Sequence, residues 1–260
     1  MNKPQISAAL AAYNEEKNIV QCISSLKAFA DEIIVVDGSS NDGTTQLAAS
    51  AGAKVIKTTN KPMFHINKNM AIDACSGEWI FLIDADERVS RDLAAEIKEK
   101  IRQNPAQNGF WINRRNWFLG KFLEKGGAYP DSVIRLFRKG KGRLPEVSVH
   151  EQVSIDGEVG RLKNDIFHLA DPDFARYLMR ANRYTTQTAQ EIAKIDPGFD
   201  PLTIVKYSLF KPIATFIAIY FRHRAYLDGF PGFAWAFFSG AHHFCAYVKY
   251  WEINKKNSKN

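Results

Sequence analysis

The sequence predicts an α/β chain with a mostly parallel central sheet flanked by helices, followed by a helical C-terminal region. Three observations carry this. Through Asn104, short apolar runs alternate with segments of helical period. Those runs are apolar at consecutive positions, as in strands covered on both faces. After residue 170 the pattern changes to long helical stretches rich in aromatic and basic residues.

Ile6 to Ala12 is the first expected strand. Asn14 stands at an N-cap position with Glu15 and Glu16 in the first helical turn, where carboxylates suit the dipole. Ile19, Cys22, Ile23 and Leu26 then repeat on one helix face. Ile33 to Val36 makes a second strand, ended by Asp37 and the turn-rich DGSSNDGT. A helix over Thr44 to Ser50 closes at Gly52, and Lys54 to Thr58 supplies a third strand. The helix Ile66 to Cys75 leads to the strand Trp79 to Ile83. Ser90 caps a helix carrying Leu93, Ile97 and Ile101, which Asn104 and Pro105 stop. Farther on, Asp173 opens a helix with Phe174, Tyr177, Leu178, Ala181 and Tyr184 on one face. The break IDPGFDP separates it from the apolar stretch that starts at Leu202.

The 260 residues carry a net charge of +7, which calls for an anionic partner: nucleic acid, phospholipid headgroups or a phosphorylated substrate. Nucleic acid is set aside, because the basic residues are spread along the chain and no recognised module accompanies them. Cys22, Cys75 and Cys245 lie far apart without CxxC spacing, as reduced thiols in a cytosolic protein do. The N-terminal apolar run is too short for a signal peptide, so a cytoplasmic protein is expected. Lys206, Lys211 and Pro212 interrupt Leu202 to Phe221, and His242 and His243 interrupt Phe233 to Val248. Both fall short of an uninterrupted span of ~20 apolar residues. Such mixed faces suit the inner, anionic surface of the cytoplasmic membrane; a pair of core helices and a homo-oligomer interface are the other uses of the same surface.

In EWIFLIDADE, a buried strand runs into Asp84 and Asp86. Both carboxylates can reach one divalent cation whose other positions accept phosphate oxygens. The bland alternative makes Asp84 a turn cap and leaves Asp86 and Glu87 solvated. Ligands of parallel sheets sit at the carboxyl ends of strands, where Tyr13, Asn14, Asp37, Asp84 and Asp86 all fall. That convergence favours the functional reading.

AAYNEEKNI, EIIVVDGSSNDGT and INKNMAIDACSGEWIFLIDADERV resemble the nucleotide-sugar-binding half of the inverting family-2 glycosyltransferases with the GT-A (Rossmann-like) nucleotide-diphospho-sugar transferase fold. RRNWFLGKFLEKGGAYPDSVIRLFRKGKGRL, VHEQV and YLDGFPGF are similar to their bacterial subgroup of lipopolysaccharide core β-1,4-glucosyltransferases. The resemblance implies a catalytic domain over residues 1–170 and a helical, apolar and basic region over 171–260.

It further implies a UDP-sugar donor and Mg²⁺ or Mn²⁺. Tyr13 and Asp37 match positions that contact the nucleoside. Asn14 and Glu15 bind the donor or serve only the helix start. Lys68 offsets diphosphate charge or is a solvated helix lysine. Asp86 binds the metal directly, and Asp84 meets the ribose, or the metal through water. Asp131 is the implied base, in a segment where Pro130 replaces the first member of the family's Glu-Asp pair; its alternative is an N-terminal cap. Glu151 is the reserve. His150 and His168 are further metal ligands or ordinary buried histidines, and Arg135 and Arg138 face the diphosphate or lie on an outer strand face. Pro62 to His65 stands where the family is more glycine-rich, and His65 receives no role. The implied reaction moves glucose from UDP-glucose to a membrane-held glycolipid such as the lipopolysaccharide inner core. The alternatives are a capsule or exopolysaccharide acceptor, and a catalytically silent membrane-associated binding protein on the same fold.

Overall fold

A computed structural model describes residues 5–61, 63–146 and 152–257. The chain forms two compact units, Met1–Arg115 with Asp131–Leu169, and Asn116–Pro130 with Ala170–Asn260.

The first unit is built on one sheet. Strands β1 (Ile6–Ala12), β2 (Glu32–Asp37), β3 (Lys54–Lys57) and β4 (Trp79–Leu82) lie in the order β3-β2-β1-β4, all parallel. The helices between them are α1 (Ile19–Leu26), α2 (Thr44–Ser50) and α3 (Phe64–Ala74). Because strand side chains alternate in direction, the sheet buries two apolar layers. Ala8, Leu10, Val35 and Phe81 pack with Ile19, Ile23 and Leu26 of α1 and with Leu93 and Ile97 of α4 (Arg91–Arg102). Ala9, Ile34, Val36, Ile80 and Leu82 pack with Ala71 and Ile72 of α3. Ser90 caps α4, its Oγ accepting the Leu93 N–H at 3.1 Å.

The sheet is not mostly parallel. The short β5 (Glu87–Val89) precedes α4, and β6 (Gly109–Phe118), β7 (Lys121–Phe122) and β8 (Asp131–Arg138) follow it. β8 runs antiparallel to both β4 and β6. In the same sheet β11 (Val159–Arg161) runs parallel to β6 and β12 (Ile166–His168) antiparallel to β5, whereas β9 (Gly142–Arg143) and β10 (Ser154–Ile155) form a separate antiparallel pair. Parallel neighbours need a crossover, which helices provide only in the first half; β6 and β8 lack one and pair as antiparallel strands.

Asn14 is not a helix cap. It adopts φ +56°, and α1 starts only after Asn18. Residues 14–18 instead form turns, the N–H groups of Asn18 and Ile19 both donating to the Glu15 carbonyl at 2.9 Å.

In the second unit, β7 folds back on the end of β6, pairing Phe122 with Trp117 and Lys121 with Phe118. The long helix α5 (Phe174–Ile195) starts at Asp173, whose carboxylate accepts the Arg176 N–H at 2.8 Å. Of the residues expected on one face of this helix, Tyr177 is buried, while Leu178 and Tyr184 are 44 % and 39 % exposed. α6 (Pro201–Val205) and α7 (Lys211–Ile217) join through a π-helical turn into one run that continues to Arg222, and α8 (Gly229–Asn257) ends the unit. α7 approaches Gly240 of α8 so closely that an added Cβ there would sit 2.5 Å from the Pro212 carbonyl oxygen.

Candidate active site

At the carboxyl ends of β1 and β2 the two following loops are laced together. The Asn14 N–H donates to Ser40 Oγ at 2.9 Å, and Asn14 Oδ1 accepts the Asn41 N–H at 3.0 Å. The Glu15 N–H donates to Thr44 Oγ1 at 2.7 Å, and Glu16 accepts the Gly43 N–H at 3.0 Å. Asp37 is buried, and its carboxylate accepts from the Ser40 hydroxyl at 2.6 Å and the Ser40 N–H at 3.1 Å. Asn14, Glu15 and Asp37 therefore hold the rim together, while Tyr13 is 45 % exposed beside them.

Asp84 and Asp86 lie in the turn between β4 and β5. Asp84 forms ion pairs on both oxygens: Lys68 of α3 meets Oδ1 and Arg135 of β8 meets Oδ2, the latter at 2.6 Å. Burial opposes charge on Asp84, but these two cations overcome it and hold its carboxyl well below the usual carboxylate range. Lys68 is thus no solvated helix lysine; it is buried, with its ammonium 5.0 Å from the Phe64 ring centre. The neighbouring Asn69 faces away and clasps Leu144 through paired hydrogen bonds of 2.9 and 3.1 Å.

Glu87 extends the charge chain. It is 0 % exposed, with one oxygen accepting the Asp84 N–H at 3.0 Å and the other meeting Arg135 at 2.6 Å and Arg114 of β6 at 3.4 Å. Arg114 in turn holds Asp131 Oδ2 through Nε at 3.0 Å and Nη2 at 2.7 Å. The β6–β8 register places Arg114 directly opposite Asp131. Lys68, Asp84, Arg135, Glu87, Arg114 and Asp131 thus alternate in sign along one continuous path. Three cations balance three carboxylates, and each buried charge meets an opposite one. Arg135 Nε alone in this path is buried with no hydrogen-bond partner among the described residues.

Glu87 and Arg114 were absent from the residues the sequence nominates. The available signal is alternation: Ala85, Glu87 and Val89 occupy every second position and are all buried, so Glu87 shares an inward face with two apolar residues. Arg114 carried none, because its partner lies across the sheet. Arg138 is separate from this path, stacked 4.5 Å from the Trp79 ring centre and paired with Glu78 at 2.5 Å. His65 is buried and bonds to the Pro145 carbonyl at 2.8 Å through Nδ1. Pro62, His150 and Glu151 lie outside the described residues.

Asp86 stands next to this chain with a different partner. Its Oδ2 lies 3.6 Å from His168 Nε2, and its carbonyl accepts the Leu169 N–H at 2.8 Å. Burial disfavours charge on both side chains, yet each stabilises it on the other, lowering the Asp86 pKa and raising that of His168. Among the described residues no three His, Cys, Asp or Glu side chains gather in a metal-holding group. A closed protein cage is therefore missing there. A carboxylate and an imidazole side by side nonetheless fit a divalent ion that takes its remaining ligands from a bound diphosphate.

The family model described as Glycosyl transferase family 2 matches residues 7–144, which include all of β1 but its first residue, β2 through β9 and the turn that holds Asp84 and Asp86. The chain belongs to this family. The transferase is also 30 % identical over 263 residues to the lipopolysaccharide core biosynthesis glycosyltransferase LpsC of Rhizobium meliloti, covering 96 % of this chain and 93 % of that protein. It is 27 % identical to an uncharacterized glycosyltransferase of Rickettsia typhi, over 88 % of this chain and 80 % of that one. Among solved structures, S. aureus TarS 1-349 matches with a TM-score of 0.50 at 13 % identity, covering 98 % of this chain and 91 % of that chain; this is a likeness of fold. The transferase is thus a GT-A-like enzyme related to lipopolysaccharide core biosynthesis proteins.

Proposed function

We propose that the enzyme transfers glucose from UDP-glucose, with inversion, to a membrane-held glycolipid of the lipopolysaccharide inner-core type. The observation that carries the chemistry is the alternating-charge path, which ties the donor-side carboxylate Asp84 to Asp131 through two arginines and a buried glutamate. The glycolipid acceptor rests on the likeness to LpsC and on the apolar surface of the second unit.

In this reading Tyr13 stacks on the uracil and Asp37 keeps the nucleoside loop in shape while accepting from the base. Asn14 and Glu15 hold the two rim loops in register. Asp86 and His168 hold Mg²⁺ or Mn²⁺, and Asp84 serves the ribose side of the donor. The metal, when bound, acts as a Lewis acid that stabilises charge on the leaving diphosphate. Lys68, already poised at Asp84, adds positive charge on the same side. On the opposite side the acceptor hydroxyl attacks the anomeric carbon, and the bond from that carbon to the diphosphate oxygen breaks with its electron pair leaving on UDP. Asp131 takes the hydroxyl proton, and Arg114 keeps its carboxylate oriented.

The second unit supplies the membrane side of the proposal. Pro201–Arg222 is long and apolar enough to cross a bilayer by length and composition, more continuous than Lys206, Lys211 and Pro212 suggest from the sequence, and only 6 % of its apolar window is buried. Leu202 is 82 % exposed, Phe210 73 % and Phe230 72 %. Interspersed with Lys206, Lys211, Arg222 and Arg224, this surface fits the anionic inner face of the cytoplasmic membrane, with the helices lying in the interface.

Calorimetry of UDP with and without Mn²⁺ tests the donor site. Binding that needs Mn²⁺ and falls at least about tenfold in Asp86→Ala supports it. Asp131→Asn is expected to keep UDP binding and lose about 10²–10⁴-fold in transfer. Metal-independent UDP binding in wild type, or full transfer by Asp131→Asn, overturns these assignments.

A further inference from the structure

The second unit contains a groove of about 620 Å³ between α5 and α8. Tyr177, Leu178 and Tyr184 line it from α5, and Trp235, Phe238 and Cys245 from α8. Its volume is that of a small-molecule site, ~300–1,000 Å³. The exposure of Leu178 and Tyr184 now has a local explanation: the apolar face of α5 turns toward a space that no described side chain of this unit fills.

One charged group in the groove stands out. Lys249 Nζ lies within hydrogen-bond distance of four oxygens of α5, which share its three protons: the Asn182 carbonyl and side chain at 2.5 and 2.6 Å, Thr185 Oγ1 at 2.7 Å and Thr186 Oγ1 at 2.8 Å. All four are neutral, and no carboxylate among the described residues pairs with Lys249. Arg180, the other cation on the groove, is paired with Asp171. The ammonium is therefore held rigidly at one end of an apolar trough with its charge uncompensated. From Trp235 to Lys249 the wall of α8 spans ~21 Å at the rise of an α-helix. That exceeds the ~15 Å depth of one leaflet's acyl chains, half of a ~30 Å hydrocarbon core. The trough also continues into bare apolar surface, since Phe237, Phe244 and Val248 of the same helix are exposed.

We infer that this groove takes one acyl chain of an anionic bilayer lipid, with the lipid's negatively charged headgroup against Lys249. The inference rests on reading the second unit as a membrane-facing surface and adds a specific lipid seat to it. It uses no residue of the donor site.

Cys245 provides the readout, since it lines the groove and is exposed while Cys22 and Cys75 are buried. The rate of its alkylation by a maleimide is measured on the full chain with monomeric dodecyl phosphate, with monomeric dodecyl maltoside and with inorganic phosphate. Dodecyl phosphate is expected to slow labelling about tenfold, the neutral amphiphile much less and phosphate alone not at all. Lys249→Gln is expected to reduce protection by dodecyl phosphate to that by dodecyl maltoside. Ala241→Phe, which fills the groove without altering charge, is expected to abolish protection by both; circular dichroism and a wild-type urea midpoint confirm that each variant is folded. Equal protection by the two amphiphiles, protection by phosphate alone, or none overturns the proposal. So does protection that needs no amphiphile and grows with protein concentration, which would make the groove a contact between copies. If anionic vesicles still capture the protein while Cys245 stays unprotected, the groove fails and the membrane reading stands. If Cys245 is protected but UDP does not bind, the donor-site reading fails instead.

Discussion

The two units put similar side chains to opposite uses. In the first, apolar residues such as Leu10, Ile34 and Phe81 are completely buried and charged residues such as Glu87 and Arg135 lie buried among them. In the second, Leu202, Phe210 and Phe230 face outward and the polar groups near them are largely cationic. A chemical site needs charges held where water cannot relax them, whereas an interfacial surface needs apolar area that remains uncovered until a partner arrives. The contrast shows that apolar content alone says little about where a residue sits.

The sharpest way to break the comparison is to unpair the buried charges. Glu87→Ala leaves Arg135 and Arg114 facing each other's charge without a carboxylate between them, and is expected to cost ~3–5 kcal/mol in urea denaturation. Leu10→Ala empties a completely buried position between the sheet and α1, with an expected loss of about 2–5 kcal/mol in the same measurement. Either variant unfolding near the wild-type midpoint would mean that the first unit is not packed as described.

A smaller effect belongs to Glu32, whose carboxylate joins β1, β2 and the turn before β4. It accepts from Ser7 Oγ at 2.6 Å, from the Ser76 N–H at 2.8 Å and from the Ser76 hydroxyl at 3.0 Å. Burial tends to raise its pKa, but these bonds prevail and lower it below the ordinary 4.5. The folded state therefore binds this proton less readily than the unfolded one. The stabilisation is complete above the ordinary value and disappears as pH falls through the lowered one. Because the group is partly exposed, its contribution is under about 1 kcal/mol. Urea midpoints of wild type and Glu32→Gln should accordingly converge between pH 6 and pH 3, and a gap that widens toward acid would contradict the assignment.

The outward-facing aromatics should barely register in stability. Phe210→Ser and Phe230→Ser are expected to stay within about 0.5 kcal/mol of wild type. Each should nevertheless weaken sedimentation with anionic vesicles about tenfold, since inserting one phenyl ring is worth ~1.5–3 kcal/mol. Large destabilisation with unchanged vesicle binding would identify these rings as core residues. At the small end, the thiols separate the regions without altering either one. Burial pushes the Cys75 thiol up to about 12, and Cys22 higher still, so neither forms appreciable thiolate at pH 8. Mass spectrometry of the native protein after brief alkylation should find the label on Cys245 alone.

Much of the first half was legible because each strand and helix there announces itself locally. The Ile19, Cys22, Ile23 and Leu26 face, the Ser90 cap and the apolar run ending at Asp84 all stand where their spacing puts them. Asn14 misled for a physical reason: a short polar side chain after a strand serves a helix cap and a loop clasp equally well, and Ser40 and Asn41, distant in sequence, decide for the clasp. For Lys68 the sequence leaves two readings, a counter-charge for the diphosphate or a solvated helix lysine, and the fold sets aside the second. On a helix it reads as solvated, yet Asp84 and Phe64 draw its charge inward.

By itself the sequence determined the βαβ alternation, the carboxylate-bearing turn after β4, the family, and the apolar and cationic character of the last ninety or so residues. Those properties depend on neighbours within a few positions. Tertiary structure alone decided that β8 joins the sheet antiparallel to both β4 and β6, that Arg114 faces Asp131 and that Glu87 binds two arginines. It also decided that α5 and α8 leave a groove with Lys249 at its end. Each of these is a pairing between residues far apart in the chain, and its energy depends on strand register and burial, which no local pattern encodes.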